Sequence, residues 1–347
     1  MVLLLIIADD FTGALDTGVQ FTARGIQTQV VVNPDVDFAA HDTTVLVVDT
    51  ETRHLPAEQA YKIVSRLTDR ARQSGVRYIY KKTDSALRGN IGAELSAALK
   101  ASGEKQLFFV PAFPQIGRVT KEGIHYISQV PVAESPFGQD PFEPVRYSEV
   151  TELIASQCDL PAVSLPALSG QESIPEDKQI LVFDAESTDD LYSTGRQLAS
   201  QGRLGVLAGC AGFAAVLPEI LGIDSGHPVS VPKLDPRLLV ICGSVNPITT
   251  AQLDYAEQRG FRRLRLTPEQ KLEPNYWQTQ EARDLLVSIE EMLAENSRCI
   301  IETNDEGGNQ PTADYASALG IDLDTLRVRI AGSLGQLVKG IFSSPSL

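Results

Sequence analysis

Apolar residues along this chain come in short unbroken runs, each followed by a polar cluster and then by a stretch of helical period. Residues 2–8, Val-Leu-Leu-Leu-Ile-Ile-Ala, are the first such run. A strand apolar at every position is buried on both faces, as strands of parallel sheets are. It ends in Asp9-Asp10-Phe11-Thr12-Gly13-Ala14, where Asp10 or Thr12 is placed to cap a helix reaching Thr22, with Gly25 as its stop. The alternation recurs, with strands predicted at 45–48, 76–80, 106–110, 179–184 and 204–208 and helices at 56–72, 93–99, 189–201 and 211–221. Residues 111–123 read as a polar loop, and 126–144, interrupted by Pro131, Pro136, Pro141 and Pro144, as an irregular excursion.

At 222–233 glycine, proline and short polar residues replace the periodicity, which marks a boundary. A strand at 238–242, a helix at 249–259, a strand at 299–302 and a closing helix at 324–342 follow it. The pattern predicts an α/β protein of two domains, 1–225 and 226–347, with mainly parallel sheets flanked by helices and a cleft between the domains. A length of 347 residues fits two domains rather than one.

Composition narrows the function classes. The formal net charge of −15 opposes a general nucleic-acid surface, which needs an excess of Lys and Arg on one face. The four cysteines, Cys158, Cys210, Cys242 and Cys299, lie far apart with no CxxC, so they read as small buried residues in a reducing cytoplasm rather than as zinc ligands or disulfides. The apolar start is too short to cross a membrane. No GxxxxGK[ST], GxGxxG or GxSxG is present, which disfavours a P-loop, a dinucleotide-binding dehydrogenase and an esterase elbow.

Chemistry concentrates at three predicted strand ends. The densest stretch, Lys81-Lys82-Thr83-Asp84-Ser85-Ala86-Leu87-Arg88-Gly89-Asn90-Ile91-Gly92, carries three cations, a carboxylate and two hydroxyls. Arg88 can grip a carboxylate with two parallel hydrogen bonds, Lys81 and Lys82 add point charges, and Asp84 can accept a proton from an alcohol. Asp9 and Asp10 end the first strand, and Gly117 and Arg118 follow the strand at 106–110. Together they suit a polyhydroxy acid held by its carboxylate while one alcohol is deprotonated. Asp10 and Asp84 are the catalytic candidates, and Asp9, Lys82, Ser85, Arg88, Gly117 and Arg118 the substrate-binding ones. In the second domain Gly243-Ser244, between strand and helix, can offer backbone N–H groups and a hydroxyl to phosphates. Asp305-Glu306-Gly307-Gly308-Asn309 reads as an exposed acidic turn.

In order and spacing these segments resemble the four-carbon acid sugar kinases, a family long known only as a domain of unknown function. The likeness rests on Ile7 to Asp16, Lys81 to Gly92, Pro111-Ala112-Phe113-Pro114 with Gly117 to Thr120, and Pro131 to Ser135 with Asp140-Pro141. It continues through Gly209-Cys210-Ala211-Gly212 and Gly243 to Gln252, and so covers nearly the whole chain. The resemblance implies a sugar-acid domain, an ATP domain and phosphoryl transfer to a tetronate in the cleft, with magnesium. By position Ser244 corresponds to the family's nucleotide-contacting serine.

In the family, glycine-rich segments beyond the region of Val338, a GGET-like loop and a Lys-Ser-Gly-Gly-type loop, wrap the nucleotide. Neither is present here, so the resemblance implies a C-terminally shortened member with an incomplete ATP pocket. The expected partners are a small sugar acid and a second copy of the chain, with neither nucleic acid nor membrane. A non-catalytic sugar-acid-binding protein is the alternative expectation.

Overall fold

The computed structural model describes residues 1–140, 144–170, 174–223, 233 and 236–343. The chain divides into two compact units, Met1–Ser230 and Val231–Leu347. Of the segment expected to be a boundary, 224–232 lies outside the described residues, as does Pro141.

Unit 1 is built from strands β1 (Leu4–Ala8), β2 (Thr28–Val31), β3 (Val45–Asp49), β4 (Tyr78–Lys82), β5 (Leu107–Val110), β6 (Arg118–Lys121), β7 (Ile124–Ile127), β8 (Val130–Pro131), β9 (Ala162–Leu165), β10 (Ile180–Phe183) and β11 (Val206–Gly209). Its helices are α1 (Phe11–Thr22), α2 (Ala57–Gln73), α3 (Ile91–Ser102), α4 (Val150–Ala155), α5 (Thr188–Ser200), α6 (Ala211–Ala214) and α7 (Leu217–Ile220). Eight strands form one sheet in the order β2-β3-β1-β4-β11-β5-β10-β9, and every neighbouring pair is parallel.

The two-sided apolar strands are covered by separate core layers. On one face Ile7, Val48 and Ile79 pack with Val64 and Leu67 of α2 and Leu95 of α3. On the other, Ile6, Val47 and Tyr80 pack with Ala14 and Phe21 of α1, Leu191 and Leu198 of α5, and Phe213 of α6. Helix α2 forms because Ala60, Val64, Leu67, Thr68 and Ala71 recur at helical spacing on one buried face, and it stops before Gly75 at φ 80°.

Chain order places the site. The path runs from β1 outward to β2 and back to β3 on one side, then crosses to β4 on the other side of β1. The connections leave the carboxyl ends of β1 and β4 in opposite directions, and such a switch point opens a crevice where α/β sheets bind ligands.

Three expectations need correction. The polar loop at 111–123 contains β6, which forms an antiparallel hairpin with β7 through Glu122 and Gly123, at φ 51° and 77°. Both left-handed residues match a tight hairpin turn, and the amides of Glu122 and Gly123 donate to Asp184 at 2.8 and 3.0 Å. The single helix at 211–221 is two short ones, because Pro218 in the first turn of α7 cannot donate to the turn before it. The third is an omission in unit 2, where residues 262–265, for which no element was expected, form a strand.

Unit 2 comprises β12 (Leu238–Cys242), α8 (Pro247–Gln258), β13 (Arg262–Arg265), α9 (Pro268–Leu272), α10 (Gln280–Glu295), β14 (Arg298–Glu302), α11 (Gln310–Ala318) and α12 (Leu323–Phe342). Its sheet is parallel in the order β12-β14-β13. Strand β13 reads Arg-Arg-Leu-Arg, too charged for a core strand by sequence pattern. Arg263 is buried there because Glu302, Asp254 and Glu257 receive it at 2.5, 2.7 and 2.8 Å.

All four cysteines are free, with Cys210, Cys242 and Cys299 buried and Cys158 half-buried. No helix of the described residues is long and apolar enough to cross a membrane.

Helix α3 begins tight against α4. A Cβ on Gly92 would lie 2.7 Å from the Ile154 carbonyl oxygen and 2.9 Å from Gln157 Cβ. Gly92→Ala is expected to push α3 off α4 at a cost of about 1–3 kcal/mol, read as a lower urea midpoint. An unchanged midpoint would show that the two helices part freely.

Candidate functional site

The polar residues at the ends of β1, β3 and β4 converge on one guanidinium. Arg53, buried four residues beyond β3, meets Asp9 Oδ2 through Nε at 2.7 Å and Asp10 Oδ1 through Nη2 at 2.6 Å, with Asp84 Oδ1 3.9 Å away. The strands bring these groups together through the registers Ala8 to Asp49 and Ala8 to Lys82. Burial alone would weaken the Arg53 charge, but Asp9, Asp84 and Asp10 more than offset it and keep the group protonated. At the end of β3 itself, burial pushes the Asp49 carboxyl up to about 6.

Asp10 also caps α1, accepting from the Gly13 amide at 3.0 Å. Both of its partners fall on Oδ1. Its Oδ2 makes no hydrogen bond among the described residues, and the side chain is 21% exposed. Asp9 is deeper, and its Oδ1 is buried without a hydrogen-bond partner among the described residues, as is Thr83 Oγ1.

Asp84 and Arg88 do not keep the separate roles expected of them. Arg88 donates to Asp84 Oδ2 at 2.7 Å and to Oδ1 at 3.1 Å, a two-pronged pair that occupies both oxygens. The amides of Ala86 and Arg88 add longer bonds of 3.3 Å. Burial alone would raise the Asp84 carboxyl, but Arg88, Arg53 and Lys82 outweigh it and hold it well below the usual carboxylate range. Gly117 contributes a turn, at φ 68°, and its carbonyl accepts from the Ser128 amide at 2.7 Å.

The two adjacent lysines part company. Lys81 is fully buried against Glu94 of α3, with Nζ to Oε2 at 3.0 Å, so it is no ligand grip. Lys82 is 3% exposed, and its ammonium makes no hydrogen bond or ion pair among the described residues. A Cβ on Gly13 would collide with Asp10 Oδ1 and sit 2.8 Å from Lys82 Nζ, so the ammonium and the carboxylate converge on the first turn of α1.

The hairpin supplies the other wall. Arg118 donates to Ser85 Oγ, and the Arg118 and Arg88 guanidiniums each lie 5.2 Å from the centre of the Phe137 ring. His125 Nε2 lies 3.0 Å from the Ser85 carbonyl, which only accepts, so that nitrogen carries the proton and Nδ1 accepts from Thr120 Oγ1 at 3.0 Å. A cavity of about 340 Å³, lined in part by Arg53, His54, Arg88, Asn90 and Arg146, opens beside this cluster.

Sequence reading missed Arg53, Glu94 and His125. The signal for Arg53 was present: Asp49-Thr50-Glu51-Thr52-Arg53 is a polar run directly after an apolar strand, like Asp9-Asp10.

In unit 2, Ser244 follows β12. Its hydroxyl accepts from the Asn246 amide at 3.2 Å and its carbonyl from Asn304 Nδ2 at 2.9 Å, while Gly243 passes beneath Leu334. The turn expected to be exposed and acidic is anchored at its first residue. Asp305 pairs with buried Lys271 and accepts from the Thr312 amide at 2.8 Å, leaving only Glu306 to Asn309 exposed. Among the described residues no group of three or more His, Cys, Asp or Glu side chains is arranged to hold a metal ion.

The chain thus consists of a large parallel α/β unit with a charged switch point followed by a smaller parallel one. Residues 4–217 match the family model of a sugar-binding N-terminal domain, and 239–346 that of a nucleotide-binding C-terminal domain. The chain belongs to the four-carbon acid sugar kinase family.

It is 35% identical to the D-threonate kinase of Salmonella typhimurium over 268 residues, 74% of this chain and 61% of that protein. The D-threonate kinase of Bordetella bronchiseptica is 33% identical over 279 residues, 78% and 66% of the two chains. The D-erythronate kinase of Heliobacterium modesticaldum is 28% identical over 269 residues, 73% and 60%. This chain therefore spans 60–66% of the length of these curated relatives.

A crystal structure of a domain of unknown function from Bordetella bronchiseptica, a domain-swapped dimer with bound citrate, aligns with a TM-score of 0.57 at 28% identity, covering 99% of this chain and 80% of that one. A Salmonella typhimurium structure shares the fold at a TM-score of 0.74 and 20% identity, over 97% and 88% of the two chains.

Burial pushes the His125 imidazole down to about 4, with help from Arg118. The unfolded chain then takes up this proton first as pH falls, so stability is full above pH 6.5 and declines toward pH 4. The loss is about 3 kcal/mol for this group. Asp49 acts with the opposite sign in an overlapping window, so the check is the difference between wild type and His125→Gln in urea titrations at pH 7 and 4.5. Wild type is expected to lose more stability than the variant, whereas parallel curves would show that His125 is protonated in place.

Proposed function

We propose that this chain binds a four-carbon hydroxy acid at the carboxyl ends of β1, β3 and β4 and transfers the γ-phosphoryl group of ATP to one of its hydroxyls. The observation that carries this reading is Lys82, a buried residue whose ammonium makes no hydrogen bond or ion pair among the described residues and converges with the Asp10 carboxylate on the first turn of α1. A buried cation is costly unless an anion reaches it, and a carboxylate on the ligand is such an anion. The relatives named for threonate and erythronate, and the neighbour holding citrate, all point to small hydroxy acids.

Asp10 is the better placed of the two candidate bases. Its Oδ2 makes no hydrogen bond among the described residues and its side chain is partly exposed, whereas Asp84 has both oxygens taken by Arg88. The hydroxyl proton passes to Asp10 Oδ2, the alcohol oxygen bonds to the γ-phosphorus, and the bond from that phosphorus to the bridging oxygen breaks, with ADP leaving. Asp84 and Arg88 brace the loop, Asp9 holds Arg53, and Arg118, whose other N–H groups make no side-chain hydrogen bond among the described residues, offsets charge on the transferring group beside Ser85. Unit 2 binds the nucleotide, with Gly243 and Ser244 at its phosphates, and magnesium would offset the charge of those phosphates. Dependence on ATP fits a cytoplasmic protein, and the dimeric neighbour supports self-association.

Coupled measurement of ADP release on D-threonate, D-erythronate and 3-oxo-tetronate is expected to give turnover on at least one. Asp10→Asn is expected to lower kcat by about 10²–10⁴-fold with little change in KM. Lys82→Met is expected to raise KM for the acid by at least ~10-fold, as loss of a charged hydrogen bond does. Acid-dependent thermal stabilisation without turnover would instead identify a non-catalytic sugar-acid-binding protein. Neither binding nor turnover would overturn both readings.

A further inference from the structure

We propose that Glu94 is a positioning residue for the switch-point site, acting through Lys81 and Thr52 to fix the strand ends that carry Asp9, Asp10, Lys82 and Asp84. The proposal rests on the reading that a ligand is bound there.

Glu94 lies in the first turn of α3 with its carboxylate fully buried. One oxygen receives Lys81 Nζ at 3.0 Å, and the other receives the Thr52 hydroxyl. The same ammonium donates to the Ile7 carbonyl at 3.2 Å and to the Lys82 carbonyl at 2.7 Å. All three of its protons are therefore committed. The two carbonyls belong to adjacent strands, Ile7 two residues before Asp9 and Lys82 at the peptide leading into Thr83 and Asp84.

The third strand end is tied in the same way. Thr50 Oγ1 lies 2.8 Å from Thr52 Oγ1 and donates to the Ala8 carbonyl at 2.7 Å. The Arg53 amide donates to the Asp9 carbonyl at 3.2 Å, and Asn90, the residue before α3, donates to the Thr52 carbonyl at 2.9 Å. One helical carboxylate thus sits beneath β1, β3 and β4 on the face opposite Lys82. It touches no group that faces the ligand, so its influence runs through backbone placement.

The test separates placement from plain stability with Glu94→Gln, Lys81→Met and the double variant, each in the full chain. Each single change leaves one buried polar partner unmatched, and a lower urea midpoint is expected. The double variant leaves no unpaired charge and is expected to recover most of the midpoint. If Glu94 positions the site, kcat/KM in the double variant stays down by about 100-fold, with KM for the acid raised, because misplacement by about an ångström costs that much. Recovery of both midpoint and kcat/KM would overturn the proposal.

Absence of wild-type turnover and acid binding would defeat the functional reading instead. The placement is then read by amide exchange, with faster exchange in the double variant at Arg53 and Thr83, whose amides donate to the Asp9 and Gly209 carbonyls, but not in β9 or β10. Unchanged exchange at the strand ends would also overturn it.

Discussion

The structure of unit 1 turns on one constraint: three carboxylates brought to neighbouring strand ends must be matched by cations away from water. Arg53 contacts Asp9 and Asp10 directly and lies near Asp84, while Arg88 takes Asp84 with two bonds. Buried like charges at such separations repel strongly, and each needs a paired and hydrogen-bonded partner to persist. Among the described residues these pairings leave Lys82 with no hydrogen bond or ion pair of its own. The chemistry proposed for the site follows from that remainder.

The sheet explains why neighbouring residues have different fates. Successive side chains on a strand point to opposite faces. Lys81 follows Ile79 into the layer under α2 and α3, where Glu94 waits, and Lys82 follows Tyr80 toward α1, where Gly13 leaves room for it. Unit 2 repeats the principle with other residues, since Glu302 and Lys271 are buried charges held at or beside strand ends by Arg263 and Asp305. In both units, ion pairs fix loops that follow short apolar strands.

Much of this is legible in the sequence, and the limits are physical. Apolar strands of four or five residues, buried on both faces, announce themselves, so their pattern alone is enough to put the polar clusters that follow them at a sheet edge. Pairing is not encoded in that way, because Arg53 reaches Asp9 across 44 residues through a register that no local pattern specifies. Arg88 was expected to face a ligand and instead closes on Asp84, a choice made by the left-handed turn at Leu87, φ 62°. The period of two does hold the fate of Lys81, since two adjacent strand residues cannot both face one site. Strands β6 and β13 are hidden because polar or basic residues dominate them, and their placement depends on distant partners such as Asp184 and Glu302.

The central claim is that a hydroxy acid lies at the switch point between Lys82 and Asp10. A crystal structure of the full chain soaked with D-threonate tests it most directly. The account predicts the carboxylate within hydrogen-bond distance of Lys82 Nζ and one hydroxyl against Asp10 Oδ2. Threonate seated instead in the neighbouring cavity by His54 and Arg146, with the Lys82 ammonium untouched, would contradict it.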